Sequence, residues 1–479
     1  MVRLAASAVL VLSLHAQVHP TPMAGRWFPA EPVQLDTLLD QAYAQARLRS
    51  GVESPRKGLL ALVVPHAGLQ YSGVPAASAY RLIGQPRNII LLGFSHRFPL
   101  EGVAYPKLDS FTLPGGELKV HRELAESLGF RMVEEKALCD HSLENQLPFL
   151  RRAAPKAGII PLYVGALAPD QLNDAARRLA NRVRQGDLVI ASSDFTHYGE
   201  GYHHTPFPND GQLPARLRDR ANEAFENIGS LSVHAFDQFL TQTEDTICGR
   251  DPIRLLMATL AQLKDDIYMT QADYLTSGQL TGDHSASVTY GALAFYPMSS
   301  FTVGPEDQRL LLTQSRSALE SHYSSQRHFA MSVQSRDLMQ RTGAFVTIRK
   351  KGELRGCIGN LSPRTALTET IADRTIAAAR SDPRFPPLAR DEGPVALEVS
   401  LLTPLKRLHD WRSYRDGWGA VLVMGKRGGL LLPQVAQEMR WNREQFLDGL
   451  SQKAGLPPKS YQNPKARLYV FHAQVFGEE

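Results

Sequence analysis

Three apolar runs in the first 200 residues share one grammar. LLALVVPHAG (59–68), NIILLGFSH (88–96) and DLVIASSDFTHYG (187–199) each read as a buried strand whose carboxyl end hands over to polar residues. Those residues are His66, His96, and Asp194 with His197. In an open α/β sheet, strand carboxyl ends are where sites form. Helical spacing separates the runs. Leu35, Leu38, Leu39 and Ala42 fall on one helix face, and helices are predicted over 76–82, 121–130 and 168–184. GIIPLYVG (158–165) is a further strand, while the stretch after His96, with Pro99, Gly102 and Pro106, reads as a loop. In CDHSLENQLPFL (139–150), His141 and Glu144 are three apart, on one face if helical. Repeated β–α alternation predicts an α/β domain: a mostly parallel sheet with helices on both faces.

The pattern changes at Pro297–Asp307. Domain one is predicted over 18–297, a linker over 298–307, and domain two over 308–479. In the second unit a helix from Gln308 to His322 is followed by AFVTIRKKGELRGCIG (344–359), two strands around Lys351-Gly352. A helix over 366–380, strands at 395–402, 420–424 and 466–476, and a helix over 442–455 complete an α+β unit.

A chain of 479 residues with 43% hydrophobic and 21% charged content has room for two such cores. The net charge of +5 is mild and dispersed, which argues against a nucleic-acid partner. The one dense basic cluster, Arg349, Lys350, Lys351 and Arg355, spans the predicted hairpin turn and reads as a solvated tip. Three widely spaced cysteines, Cys139, Cys248 and Cys357, imply no disulfide framework and leave metal-ligand, reactive or buried roles open. Residues 1–17, MVRLAASAVLVLSLHAQ, have the basic start, apolar run and small residue of a secretory signal, which favours export to the periplasm. No stretch is long and apolar enough for an integral membrane segment.

The sharpest chemical hypothesis joins His66, His96 and Cys248. Two imidazoles and a thiolate suit a first-row transition metal, iron or zinc, better than calcium or magnesium. Three ligands leave open positions for water, dioxygen or substrate. Asp194, His197, His141 and Glu144 are candidate acid/base groups or partners of the ligands. Ser72, Ser95, Ser192 and Ser193 raise a hydrolase alternative, but none sits in a Gly-x-Ser-x-Gly elbow. Cys357 follows Arg355, a cation able to lower a thiol pKa, yet a small residue packed between strand glycines is the simpler reading. Asp382, Arg384 and Phe385 read as a turn with an ion pair.

PHAGLQYSG (65–73), GFSHRFPLEG (93–102), DHSLENQLPFL (140–150), SSDFTHYG (192–199), CGRDPI (248–253) and TSGQLTGD (276–283) together resemble the ordered signature of the Memo family. AFVTIRKKGELRGCIGNL, AARSDPRFPPL, LEVSLLTP, LLPQVAQEMRW and FLDGLSQKAGLP resemble the AMMECR-type domain. The chain thus resembles a fusion of proteins B and A of the AmmeMemoRadiSam system, whose third member is a radical S-adenosylmethionine protein. The resemblance implies a fold related to class III extradiol dioxygenases. It implies metal ligands at His66, His96 and Cys248, with Asp194 and His197 lining the pocket. Iron is the metal it favours, with copper as an alternative. It also implies a cytoplasmic address, against the leader, and gives Cys357 no firm role. Two functions follow as expectations: a dioxygenase-like redox enzyme acting on a small molecule or peptide, or a metal- or peptide-binding interaction module without turnover.

Overall fold

The computed structural model describes residues 16–50, 56–97, 99–324 and 335–478, so most of the signal-like leader lies outside the described residues. The first domain is built on a nine-stranded sheet. Along it run His197–Tyr198, Ser287–Pro297, Ala61–Val64, Leu188–Ser192, Asn88–Gly93, Gly158–Val164, Val103–Lys107 and Arg131–Glu134, with Ile267–Thr276 also paired to Ser287–Pro297. The four central strands are parallel. They read as unbroken apolar runs because both faces are covered. Alternation shows in where each side chain goes. Leu62, Val64, Ile89, Leu91 and Ile190 enter the core on one face, while Ala61, Val63, Ile90, Leu92, Val189 and Ala191 enter the core on the other.

Because these strands are parallel, Val64, Gly93 and Ser192 all end at one edge, and His66, His96 and Asp194 follow within three residues. The helix Pro169–Arg184 buries Leu172, Ala175, Ala176, Leu179 and Val183, the stripe its sequence spacing predicts.

Three expectations need correction. The sheet is mixed, not mostly parallel. Ser287–Pro297 pairs antiparallel with Ala61–Val64 and with Ile267–Thr276, and Val103–Lys107 pairs antiparallel with Gly158–Val164. The turn between the two long strands is a one-turn helix, Ser277–Thr281, closed by a capping box of Thr276 and Gln279; so short a link permits only antiparallel pairing. The expected loop after His96 contains the strand Val103–Lys107. Pro106 is tolerated there because it lies beyond Val103 and Ala104, the residues that pair with Gly158–Val164. The expected linker is largely structured, with a 3-10 turn at Met298–Phe301, Phe301 buried, and a helix beginning at Pro305.

The second domain is α+β, as the sequence predicts. Two four-stranded antiparallel sheets are packed with the helices Pro305–Ser324, Leu367–Arg380 and Arg443–Lys453. The hairpin turn does fall at Lys351 and Gly352, whose φ values of 51° and 84° give both turn positions the left-handed geometry that two-residue hairpins use. Its basic cluster is not simply solvated: Arg349 pairs with Glu398 and Glu438, and Lys350 and Arg355 pair with Glu392.

The domains share a polar seam. The Tyr268 hydroxyl meets His472 Nδ1 at 2.7 Å, and the Tyr469 hydroxyl donates to Glu226 at 2.9 Å. Asp266 receives Trp418 Nε1–H at 3.4 Å and faces His472 and Arg415. No helix among the described residues is long and apolar enough to cross a membrane.

Candidate metal centre

His66 stands in the tight link between Ala61–Val64 and the helix Leu69–Tyr80. Asp194 fixes that link: its Oδ1 accepts the backbone N–H of His66 at 2.8 Å and of Ala67 at 3.3 Å. Ser192 fixes the ring. Its hydroxyl donates to the Ser142 carbonyl and receives Gln146 Nε2–H at 2.9 Å, so in its contact with His66 Nδ1 at 3.0 Å it accepts a hydrogen bond from the imidazole N–H. That network assigns the Nδ1–H tautomer and leaves the Nε2 lone pair free. Burial, then the neighbouring His96, pushes the His66 pKa down to about 3, which keeps the ring neutral.

His96 is held in the same manner by Asp140, whose Oδ2 accepts the His96 backbone N–H at 2.7 Å and faces its Nδ1 at 3.3 Å. Asp140 is itself fixed as the N-cap of the one-turn helix His141–Glu144, accepting Ser142 N–H at 2.9 Å. Cys248 arrives just before the helix Arg250–Ala261. Its sulfur lies 3.2 Å from His66 Nε2 and accepts the Asp194 backbone N–H at 3.3 Å. Burial, then Asp194, raises its pKa above the ordinary thiol range. A bound cation is what would convert it to thiolate. Gly249 is demanded by the same packing, since a Cβ there would lie 2.4 Å from Ser193 Cβ and 2.5 Å from the Ser192 carbonyl oxygen.

One nitrogen from each of His66 and His96 and the Cys248 sulfur lie within 4.8 Å of one another. Donors around a tetrahedral zinc-class ion with bonds of about 2.0–2.3 Å stand roughly 3.3–3.8 Å apart, so the set fits one metal ion with little movement.

A cavity of about 700 Å³ opens on this group, lined by His66, His96, His141, Asp194 and His197 among others. Cys248 stands beside His66 and is partly exposed. His141 is clamped between Trp27, at 4.2 Å and 8°, and His96, at 3.9 Å and 28°. Burial, then His96, lowers its pKa to about 3. His197 Nδ1 faces the Thr246 carbonyl at 3.1 Å, which makes Nδ1 a donor and aims Nε2 away from it. Burial raises the pKa of Asp194.

The structure therefore brings six of the sequence candidates together. It separates two others. Glu144 does not share the cavity with His141; it is buried behind it and meets His19 Nε2 at 3.3 Å. Cys357 belongs to a different cavity, of about 430 Å³, in the second domain. Arg355 does not activate it, being engaged by Glu392, and burial raises the Cys357 pKa. The expected turn at 382–385 is present: Arg384 pairs with Asp382, which accepts the Cys357 backbone N–H at 2.8 Å. Sequence reasoning missed Trp27, Asp140, Gln146 and Thr246. Asp140 was legible as a helix cap two residues before Ser142; Trp27 sits in a Pro/Gly-rich segment with no periodic signal.

These features define a mixed α/β protein of two domains with a histidine–cysteine candidate metal centre in the first. Comparison with known proteins gives the family. The Memo-like protein family matches residues 19–294, and AMMECR1 matches residues 312–476. The chain belongs to the Memo-like family and carries an AMMECR1 domain behind it. It is similar to a MEMO1 family protein of Methanosarcina barkeri, 32% identical over 57% of this chain and 97% of the relative. It is likewise similar to Protein MEMO1 of Danio rerio, 28% identical over 56% of this chain and 94% of the relative. A protein of Methanothermobacter thermautotrophicus is 40% identical over 36% of this chain and 95% of its own length.

Proposed function

We propose that the first domain holds one iron ion at His66, His96 and Cys248 and acts as a dioxygenase-like redox enzyme on a small molecule or peptide in the adjoining cavity. The observation that carries this reading is the donor set. Two imidazoles, each tied through Nδ1 to Ser192 or Asp140, converge with a thiol 3.2 Å from one of them. Iron supplies a one-electron redox couple and open positions for dioxygen or substrate; copper or zinc is the alternative for these donors. The resemblance to class III extradiol dioxygenases favours redox over hydrolytic chemistry, as an analogy of fold.

The chain's own residues do the rest. Cys248, a thiol in the metal-free protein, would bind as thiolate, its proton released to solvent. His197 Nε2 accepts a proton from substrate, its ring aimed by the Thr246 carbonyl. His141, neutral and clamped by Trp27, orients substrate and donates or accepts one hydrogen bond. Asp194 acts as a positioning residue, since its carboxylate holds the backbone that carries His66. The second domain binds a partner or product, and a radical S-adenosylmethionine protein is the partner class the AmmeMemoRadiSam resemblance implies.

A second reading, a metal- or peptide-holding module without turnover, draws on the exposed Tyr71 and Tyr202 in the cavity lining, a surface suited to a peptide. Dioxygen uptake by anaerobically iron-loaded, full-length protein, with catechols and with a peptide pool, separates the two. Uptake that falls at least tenfold in His197→Ala with iron retained supports the enzyme. Full iron loading with no uptake on any substrate favours the module.

A further inference from the structure

A second donor cluster lies behind the first. His19, Cys139 and Glu144 each offer one ligand atom, and the three atoms lie within 4.8 Å of one another. We propose that these residues form a separate, structural site for a zinc-class divalent ion, closed off from the cavity and independent of the function proposed above.

Burial argues first. Glu144 has 0% exposure and Cys139 1%, while the His19 side chain keeps 12%. Among the described residues Glu144 Oε1 has one hydrogen-bond partner, His19 Nε2 at 3.3 Å, and Oε2 has none. Buried carboxylates in folded proteins are paired or hydrogen-bonded, and an orphaned oxygen in a core asks for a missing partner. An imidazole alone satisfies one oxygen. A divalent ion between Glu144, His19 and Cys139 satisfies the carboxylate. It also leaves the core electrically neutral, since two positive charges meet one carboxylate and one thiolate.

Geometry argues next. Zinc bonds to nitrogen and oxygen of about 2.0–2.2 Å around a tetrahedron put neighbouring donors about 3.3–3.6 Å apart. The observed separation of 3.3 Å between His19 Nε2 and Glu144 Oε1 matches that edge. The thiol has a supporting partner. Burial, then Glu144, pushes the Cys139 thiol well up, so the residue is a thiol until a cation binds; the Tyr163 hydroxyl, which accepts the Asp140 backbone N–H at 3.0 Å, turns its own proton to Cys139 and would support the thiolate of a bound ion. His19 is held from the other side by edge-on packing on Phe111, at 5.7 Å and 88°.

The connection to the fold is direct. His19 lies on Val18–Pro20, a short strand paired with Ser110–Leu113. Cys139 immediately precedes Asp140, which holds His96, and Glu144 shares its one turn of helix with His141. An ion here staples the amino-terminal strand to the turn that orients two histidines of the cavity. Three protein donors leave the fourth tetrahedral position to a water molecule, so it is burial away from the cavity, not the number of ligands, that gives this ion a structural role, in contrast to the open group at His66.

The test removes the first centre. Full-length His66→Ala/Cys248→Ser protein, stripped by chelator, is titrated with Zn(II) and separately with Co(II). The expected result is one equivalent of zinc, a thiolate-to-cobalt charge-transfer band and a raised melting temperature. Adding Cys139→Ser or His19→Gln abolishes all three with the far-ultraviolet circular dichroism unchanged. His19→Gln, on a short strand near the surface, serves if the cysteine variant fails to fold. The proposal is overturned if the folded double variant binds no zinc. It is also overturned if the zinc equivalent and cobalt band survive Cys139→Ser or His19→Gln.

Discussion

Cys248 and His66, 182 residues apart in sequence, meet with Sγ 3.2 Å from Nε2. The contact exists because two backbone features converge on it. The strand Ala61–Val64 ends beside Leu188–Ser192, which brings His66 to Asp194, and the Asp194 backbone N–H points at the Cys248 sulfur. Asp194 thus touches both partners, its carboxylate on one and its amide on the other. Without a metal, a thiol and a neutral imidazole at this separation gain only a weak hydrogen bond.

Ser192 is the outer anchor of His66, so Ser192→Ala should weaken metal binding about 10–100-fold while leaving the fold intact. Competition against a chelator of known affinity reads the change, and circular dichroism reads the fold. Unchanged affinity would remove Ser192 from the account.

Gly249 packs against the Ser192 carbonyl and Ser193, with no space for a Cβ. Gly249→Ala should destabilise the first domain by about 1–3 kcal/mol and displace the cysteine beside it. Metal content should fall with it. A variant of wild-type stability and metal content would show that Cys248 is not positioned by this contact.

Much of this centre was legible in the sequence. His66, His96 and Asp194 follow apolar runs, and parallel pairing sends run ends to one edge. Cys248 carried no such strand-end signal; it was joined to the two histidines as a plausible thiolate donor, and the CGRDPI motif then placed it in the family signature. The strand at 103–107 was hidden by Pro106, and the mixed sheet by a hairpin link that is itself a helical turn. The separation of Glu144 from His141 was hidden because one turn of helix is too short to define a face; the cap at Asp140 and burial against His19 decide where each side chain goes.

In the second domain, Asp382 supplies a pH prediction. The Arg384 guanidinium, with the backbone N–H groups of Cys357 and Arg384, holds its pKa at about 2, below the ordinary 3.8. A depressed carboxyl contributes stability that is fully present above pH 3.8 and lost as pH falls toward 2. The contribution is at most about 2–3 kcal/mol, from about 1.4 kcal/mol per pH unit. Asp382→Asn should lower stability at pH 7 and flatten its loss between pH 4 and 2. Urea unfolding followed by tryptophan fluorescence reads this domain, since Trp411, Trp418 and Trp441 lie in it and only Trp27 in the other. An unchanged pH profile would contradict the assignment.

At the seam, Asp266 faces His472, Arg415 and Trp418 at once. Asp266→Ala should cost about 1–2 kcal/mol and shift Trp418 fluorescence, with metal affinity in the first domain unchanged. Loss of metal instead would mean that the two domains are coupled through this contact.

Metal content of full-length protein purified anaerobically, wild type beside His66→Ala and Cys248→Ser, decides whether His66, His96 and Cys248 hold an ion. Wild type should carry close to one more equivalent of iron, or of copper, than either variant, with all three folded. Equal metal content in the three folded proteins, or none in any, would contradict a metal centre at His66, His96 and Cys248.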